Sequence, residues 1–197
     1  MNRRIILASA SPRRRQLLTQ VGLDFEVVVS NADETVSGTP AEQVVEVAKR
    51  KADAVAQSLA NSDGVVIIAA DTLVYANGTV LGKPESPEQA YDMLCTLQGS
   101  THEVYTGVVM RCHSHANETR EQIFFDRAQV TFRLLSHTEI LAYIATGEPF
   151  DKAGAYGIQE KGAALVDSIN GDFYTVMGLP IAKVCKVLLD FGVEYWS

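Results

Sequence analysis

Apolar positions along the chain alternate between short dense runs and longer stretches in which they recur every three or four residues, and this alternation predicts an α/β fold. Ile5-Ile6-Leu7-Ala8 reads as a strand, and Leu17, Leu18 and Val21 at near-helical spacing follow a start made of Ser11 and Pro12. Phe25–Val29 is β-branched and aromatic and predicts a second strand. After Thr39-Pro40, Val44, Ala48, Ala52, Val55 and Leu59 mark the buried stripe of a long helix. The unbroken run from Val65 to Ala70 implies a central strand covered on both faces, ending at Asp71-Thr72. Leu73–Tyr75 and Thr79–Leu81 flank Asn77-Gly78, a strong hairpin signal.

The second half continues the mixture. Ser86-Pro87-Glu88-Gln89 opens a helix that closes at Gly99, and Ser136-His137-Thr138-Glu139 opens another that ends at Thr146-Gly147. Between them, Thr101–Cys112 alternates and pairs, through a polar loop holding Cys112, His113 and His115, with a strand around Gln122–Arg133. The stretch from Glu148 to Gln159 mixes polar, aromatic and glycine residues without period, as functional loops do. Leu165–Ile169 and Tyr174–Met177 around Asn170-Gly171 predict a last hairpin, and Gly178-Leu179-Pro180 starts a final helix packed through Val184, Val187, Leu188 and Phe191.

Composition narrows the class of partner. A chain of 197 residues, 47% hydrophobic, can bury one core or two small lobes around a cleft. A net charge of −7 argues against binding a nucleic-acid polymer. Five of the 17 Lys and Arg residues nevertheless lie in the first fifteen positions, a local concentration that suits a small anion. No apolar run is long enough for a signal peptide or a membrane span, so a cytoplasmic protein is expected. Three widely spaced cysteines indicate neither a disulfide framework nor a zinc cluster.

Charge placement then picks out candidate chemistry. Arg13, Arg14 and Arg15 stand in the first turn of a helix, where unpaired N–H groups already carry partial positive charge; they are either a solvated basic turn or an anion site. Asp33-Glu34 past the second strand is either an acidic loop or part of a ligand set. Lys51 lies within the apolar stripe of its helix, either snorkelling or aimed at phosphate. Asp71, at the end of a buried run, is either a turn residue or an acid placed to bind metal or accept a proton. Gly78 to Lys83 imitates a phosphate loop, but its spacing is short and Pro84 offers no hydroxyl, leaving Lys83 as a lone cation. The Cys112, His113 and His115 spacing lacks a second cluster and reads as a wet loop.

Taken together, Ala8-Ser9-Ala10-Ser11-Pro12-Arg13-Arg14, Asp33-Glu34-Thr35, Ala70-Asp71-Thr72, Gly82-Lys83-Pro84, Thr101-His102-Glu103-Val104, Gly147-Glu148-Pro149, Asp151 through Gln159 and Gly178-Leu179-Pro180 resemble the Maf nucleoside triphosphate pyrophosphatases. The resemblance covers nearly the whole chain and implies one domain over 1–197. Its expected fold is a long mixed twisted sheet flanked by helices, with two lobes around a substrate cleft, akin to inosine triphosphate pyrophosphatases and usually dimeric. It further implies hydrolysis to a monophosphate and pyrophosphate, with Glu34 and Asp71 holding Mg²⁺ or Mn²⁺ and Asp71 handling the attacking water. Ser9, Arg13, Arg14, Lys51 and Lys83 are expected around the triphosphate. Arg13, Thr72 and Gln159 match the subgroup acting on dTTP and UTP; the subgroup acting on 7-methyl-GTP carries tryptophan in place of Arg13. The rival expectation is a nucleotide-binding regulator of septum formation with little turnover.

Overall fold

The computed structural model describes residues 3–59, 63–113 and 119–196. Among them the order is β1 (Arg4–Leu7), α1 (Pro12–Gln20), β2 (Glu26–Val27), α2 (Pro40–Ser58), β3 (Val65–Ala76), β4 (Thr79–Leu81), α3 (Pro87–Leu97), β5 (Thr101–His113), β6 (Thr119–Phe132), α4 (His137–Ile144), β7 (Val166–Asn170), α5 (Phe173–Met177) and α6 (Ile181–Asp190). Two 3₁₀ turns, Glu148–Asp151 and Ala153–Ala155, lie in the aperiodic stretch, and a third, Glu160–Leu165, follows it. The sheet order is β2-β1-β3-β5-β6-β7, with β4 paired to β3. β1 is parallel to β2 and β3, whereas β3–β4 and β6–β7 are antiparallel, so the expected mixed sheet is present.

The helix starts follow from side-chain caps. Thr39 and Glu42, and likewise Ser136 and Glu139, form reciprocal capping boxes, and Ser86 accepts from the Gln89 N–H. At the β3–β4 turn Asn77 and Gly78 both have positive φ, the conformation that a two-residue hairpin requires.

Backbone contacts group the chain into two compact units: Met1–Asp71 with Thr106–Asp126 and Gly178–Ser197, and Thr72–Tyr105 with Arg127–Met177. In the first, Ala48, Ala52 and Val55 of α2 pack on Ile6, Val65, Ile67, Ala69 and Val109. The small residues let backbones come close. At Gly107 of β5 an added Cβ would lie 2.5 Å from the Val44 carbonyl carbon and oxygen, so any larger residue there would push α2 away. The second unit has its own core, in which Leu94 and Leu97 of α3, Ile140 and Tyr143 of α4, and Val130, Phe132 and Tyr156 are buried.

Four local expectations need correction. β3 does not stop at Asp71 but runs on to Ala76, because its hairpin with β4 supplies new partners from Val74 onward. β2 is reduced to Glu26–Val27, and both residues are exposed. Tyr174–Met177 is helical rather than the second arm of a hairpin: Asp172 Oδ1 accepts from the Tyr174 N–H at 2.9 Å, capping a helical turn directly after Gly171. Cys112 and His113 belong to β5, where Cys112 is buried and its Sγ accepts from Arg3 Nη1 at 3.0 Å; His115 lies outside the described residues.

Candidate functional site

The strand-to-helix turn after β1 is built around one serine and one arginine. Ser9 Oγ accepts from the Ser11 N–H at 3.2 Å and from Arg14 Nη1 at 3.0 Å, which leaves its own proton for an outside acceptor. Arg14 Nε donates to the Gly178 carbonyl at 2.7 Å, so the guanidinium is held from two sides. Ser11 caps α1 by accepting from the Arg14 N–H, and no acidic residue stands in the first turn of that helix. Arg14 is only 8% exposed. Burial lowers its pKa from the ordinary arginine value; the charges of Asp71 and Glu34 oppose that shift, and the neighbouring Arg13 adds to it. Arg13 is half-buried, and the exposed Arg15 donates to the Ala10 carbonyl at 3.0 Å.

Within the same unit, α2 and β3 bring a second set together. Lys51 Nζ lies 2.7 Å from Asp71 Oδ1 and 2.8 Å from Glu34 Oε1, so one ammonium bridges both carboxylates. Lys51 is buried, the Asp71 side chain is one-fifth exposed and that of Glu34 is more than half exposed. The ammonium is thus removed from water on a helix face, and two acids compensate it. β1 reaches only Leu7 beside Ile68 of β3, and the chain leaves after the Ala8 N–H donates to the Ile68 carbonyl at 2.8 Å. Asp71 therefore stands just beyond the end of the parallel pairing although it lies inside its own strand. Ligands of open α/β sheets gather at this position.

Sequence reasoning missed the residue that holds Glu34 in place. Arg50 Nη1 donates to the carbonyls of Asp33 at 3.2 Å and Thr35 at 3.0 Å, clamping the backbone on both sides of Glu34, and its Nε donates to Glu46 at 2.9 Å. Thr35 N–H donates to Asp33 Oδ1 at 2.9 Å, which tightens the same turn. The available signal was the basic triplet Lys49-Arg50-Lys51, of which the apolar stripe drew attention only to the last.

Ser9, Arg13, Arg14, Glu34, Lys51 and Asp71 all fall in the first unit. Thr72, Lys83 and Gln159 belong to the second. Gly82, next to Lys83, accepts from the Gly154 N–H at 2.9 Å through its carbonyl, which ties the β4 end to the loop that leads to Gln159.

No group of three or more His, Cys, Asp or Glu side chains converges among the described residues. The two carboxylates at the Lys51 ammonium nonetheless suit a hard divalent ion. Their oxygens already meet at one cationic position, and oxygen donors are what magnesium and manganese take, with water and substrate oxygens completing the shell. Among the described residues no helix is long and apolar enough to cross a membrane.

A mixed sheet flanked by helices, with a basic strand-to-helix turn and a lysine-bridged acid pair in one unit, defines the chain as an α/β protein. The chain belongs to the Maf family, whose model, described as Maf-like protein, matches residues 4–191. A dTTP/UTP pyrophosphatase of Moorella thermoacetica is 49% identical over 98% of each chain. Another, from Bacillus cereus, is 45% identical over 98% of this chain and 97% of its own. The structure of a HAM1 protein from Coxiella burnetii superposes with a TM-score of 0.51 at 12% identity, covering 96% of this chain and all of that one, a likeness of fold.

Proposed function

We propose that this chain is a nucleoside triphosphate diphosphatase that hydrolyses dTTP and UTP to the nucleoside monophosphate and pyrophosphate. The observation that carries the mechanism is the Lys51 ammonium shared by Asp71 and Glu34, in the unit that also presents Ser9 and Arg14. The substrates are those in the names of the two relatives.

In this reading Asp71 orients the attacking water and takes its proton as the α-phosphorus is approached in line with the departing pyrophosphate. Ser9 donates a hydrogen bond to a phosphate oxygen, while Arg13, Arg14 and Lys51 offset the charge that builds up during the displacement. Arg14 is pre-positioned for this by its bonds to Ser9 and Gly178, so little side-chain order remains to be acquired on binding. Glu34 and Asp71 would hold Mg²⁺ or Mn²⁺, which when bound polarises the phosphoryl group and makes water more acidic. Lys51, on the buried face of α2 beside both acids, supplies positive charge to the phosphate oxygens.

Thr72, Lys83 and Gln159 take their proposed parts from the family motifs: Lys83 as a phosphate counter-charge, and Thr72 and Gln159, with Arg13, as readers of the pyrimidine edge. A cytoplasmic homodimer is proposed on the same ground. Light scattering of the purified protein tests the dimer.

The deciding measurement is pyrophosphate release from a panel of nucleoside triphosphates, with and without Mg²⁺ or Mn²⁺. Release from UTP and dTTP above the other nucleotides is expected. Silence across the panel would overturn the reading in favour of a nucleotide-binding regulator.

A further inference from the structure

The segment that carries Gln159 is fastened at both ends by the side chains of one glutamate and one tyrosine outside it. Glu148 Oε1 accepts from the Gly162 N–H at 3.1 Å, and Oε2 accepts from the Lys161 N–H at 3.1 Å. Tyr143 donates to Glu148 Oε1 at 3.0 Å and accepts from the Gly157 N–H at 3.3 Å. Burial raises the Tyr143 pKa further above the ordinary tyrosine range, which keeps the phenol protonated and able to donate. The acid and the phenol together hold residue 157 on one side of Gln159 and residues 161 and 162 on the other.

Sterics reinforce the fastening. An added Cβ at Gly162 would stand 2.1 Å from the Gly157 carbonyl oxygen and 2.8 Å from the Tyr143 hydroxyl, so the two ends of the segment meet over that pair. At Gly157 an added Cβ would lie 2.6 Å from Cε of Lys152, whose Nζ donates to the Glu148 carbonyl at 2.7 Å. Between the pinned ends Glu160 adopts φ 57°, a left-handed conformation that strains a non-glycine residue. Strain of this kind persists only where surrounding bonds over-determine the backbone.

We infer that Glu148 and Tyr143 are positioning residues for nucleotide selectivity: they touch no reacting atom but set where the Gln159 amide stands. The inference rests on the proposed reading of Gln159 as a base-reading residue, and it assigns a role to Gly147-Glu148-Pro149 that the catalytic scheme leaves unused. Glu148 is half-buried and all three of its described side-chain bonds go to this segment or to the tyrosine that shares it.

The test compares kcat/KM for UTP with that for CTP, whose base reverses the donor and acceptor at N3 and at the 4-substituent, in the wild type, Q159A, E148Q, Y143F and the double variant E148Q/Q159A. Glu148→Gln exchanges one acceptor oxygen for a donor and leaves one of the two N–H groups without its partner. Loss of one hydrogen bond that positions a reading residue shifts discrimination by up to about tenfold. The expected result is a fall in the UTP-to-CTP ratio of about tenfold in E148Q, a smaller fall in Y143F, and a double variant no less selective than Q159A alone. An E148Q protein that loses kcat/KM equally on both nucleotides, or whose effect multiplies with that of Q159A, overturns the positioning role while leaving the reading of Gln159 intact. An unchanged ratio in Q159A overturns that reading, and the positioning role with it. Thermal melts of all variants separate misfolding from selectivity, and Y143F, the milder change, decides the matter if E148Q fails to fold.

Discussion

The two units bury polar groups in opposite ways. In the first, charges are buried: Arg14 and Lys51 are each more than nine-tenths removed from water, and the carboxylates that compensate Lys51 are partly open to solvent. In the second, the deepest polar groups are largely neutral and bonded to one another. His102 is 2% exposed, its Nε2 lies 2.8 Å from the Tyr156 hydroxyl, and both rings make edge-on contacts with Phe132. Lys152 is the buried cation of this unit, and it is consumed by the Glu148 carbonyl and by Asp151. The Tyr156 hydroxyl serves one ring nitrogen of His102, while Nδ1 is buried without a hydrogen-bond partner among the described residues, so this core holds its polar groups neutral at some cost. Ionic groups held at the edge of solvent near a helix N-terminus are the ones to which the proposed function assigns the substrate.

This contrast can be broken most forcefully at Asp71. Asp71→Asn is expected to lower kcat for pyrophosphate release by roughly a thousandfold or more, since a positioned base and its cation site are lost together. Its melting temperature should stay within a few degrees of the parent, and near-normal turnover would remove Asp71 from the chemistry.

His102 supplies the matching test in the second unit. Burial pushes its pKa down to about 4 from an ordinary value of 6.5. Between those values the unfolded chain binds the proton that the folded protein refuses. The contribution is therefore fully present above pH 6.5 and is lost as pH falls toward 4, by on the order of 3 kcal/mol. Urea titrations at a series of pH values should show that slope in the parent and a flatter one in His102→Gln. Equal slopes would mean that acid sensitivity resides elsewhere.

A smaller effect is expected at Arg14. Arg14→Lys keeps the charge and discards the fork that reaches Ser9 and Gly178, so KM for UTP should rise about tenfold with kcat less affected. A loss confined to kcat would contradict a substrate-holding role. The mildest change is Arg50→Ala, which frees the turn that carries Glu34. Apparent affinity for Mn²⁺ in the presence of nucleotide should weaken about threefold to fivefold, in line with about 1 kcal/mol of lost positioning. Unchanged affinity would show that Glu34 needs no clamp.

Much of the frame was legible because it is local. The capping residues Thr39 and Ser136, the stripe of α2, the Asn77-Gly78 turn and the alternation in β5 each act over a few residues and lead to the element seen. The errors also have local causes. Asp71 read as the end of a strand because polarity interrupts the apolar run, yet the β4 hairpin extends β3 beyond it. Tyr174–Met177 read as a strand from its composition, and a single Asp172 cap made it a helix. Glu148 and Arg50 escaped notice as individuals because each acts on backbone groups, and a backbone carbonyl or N–H has no signature in the sequence.

By itself the sequence determined most of the elements, the α/β class, the acidic balance with its basic amino end, and the residues proposed for a triphosphate and a metal. Tertiary structure decided which of them meet. One face of α2 delivers Lys51 to Glu34 and Asp71 at once, the Gly178 carbonyl orients Arg14, and Glu148 and Tyr143 grip both sides of Gln159. Capping and periodicity are short-range energies that a window of sequence contains. The meeting of distant side chains depends on how strands register and helices pack, and that is set by the whole chain at once.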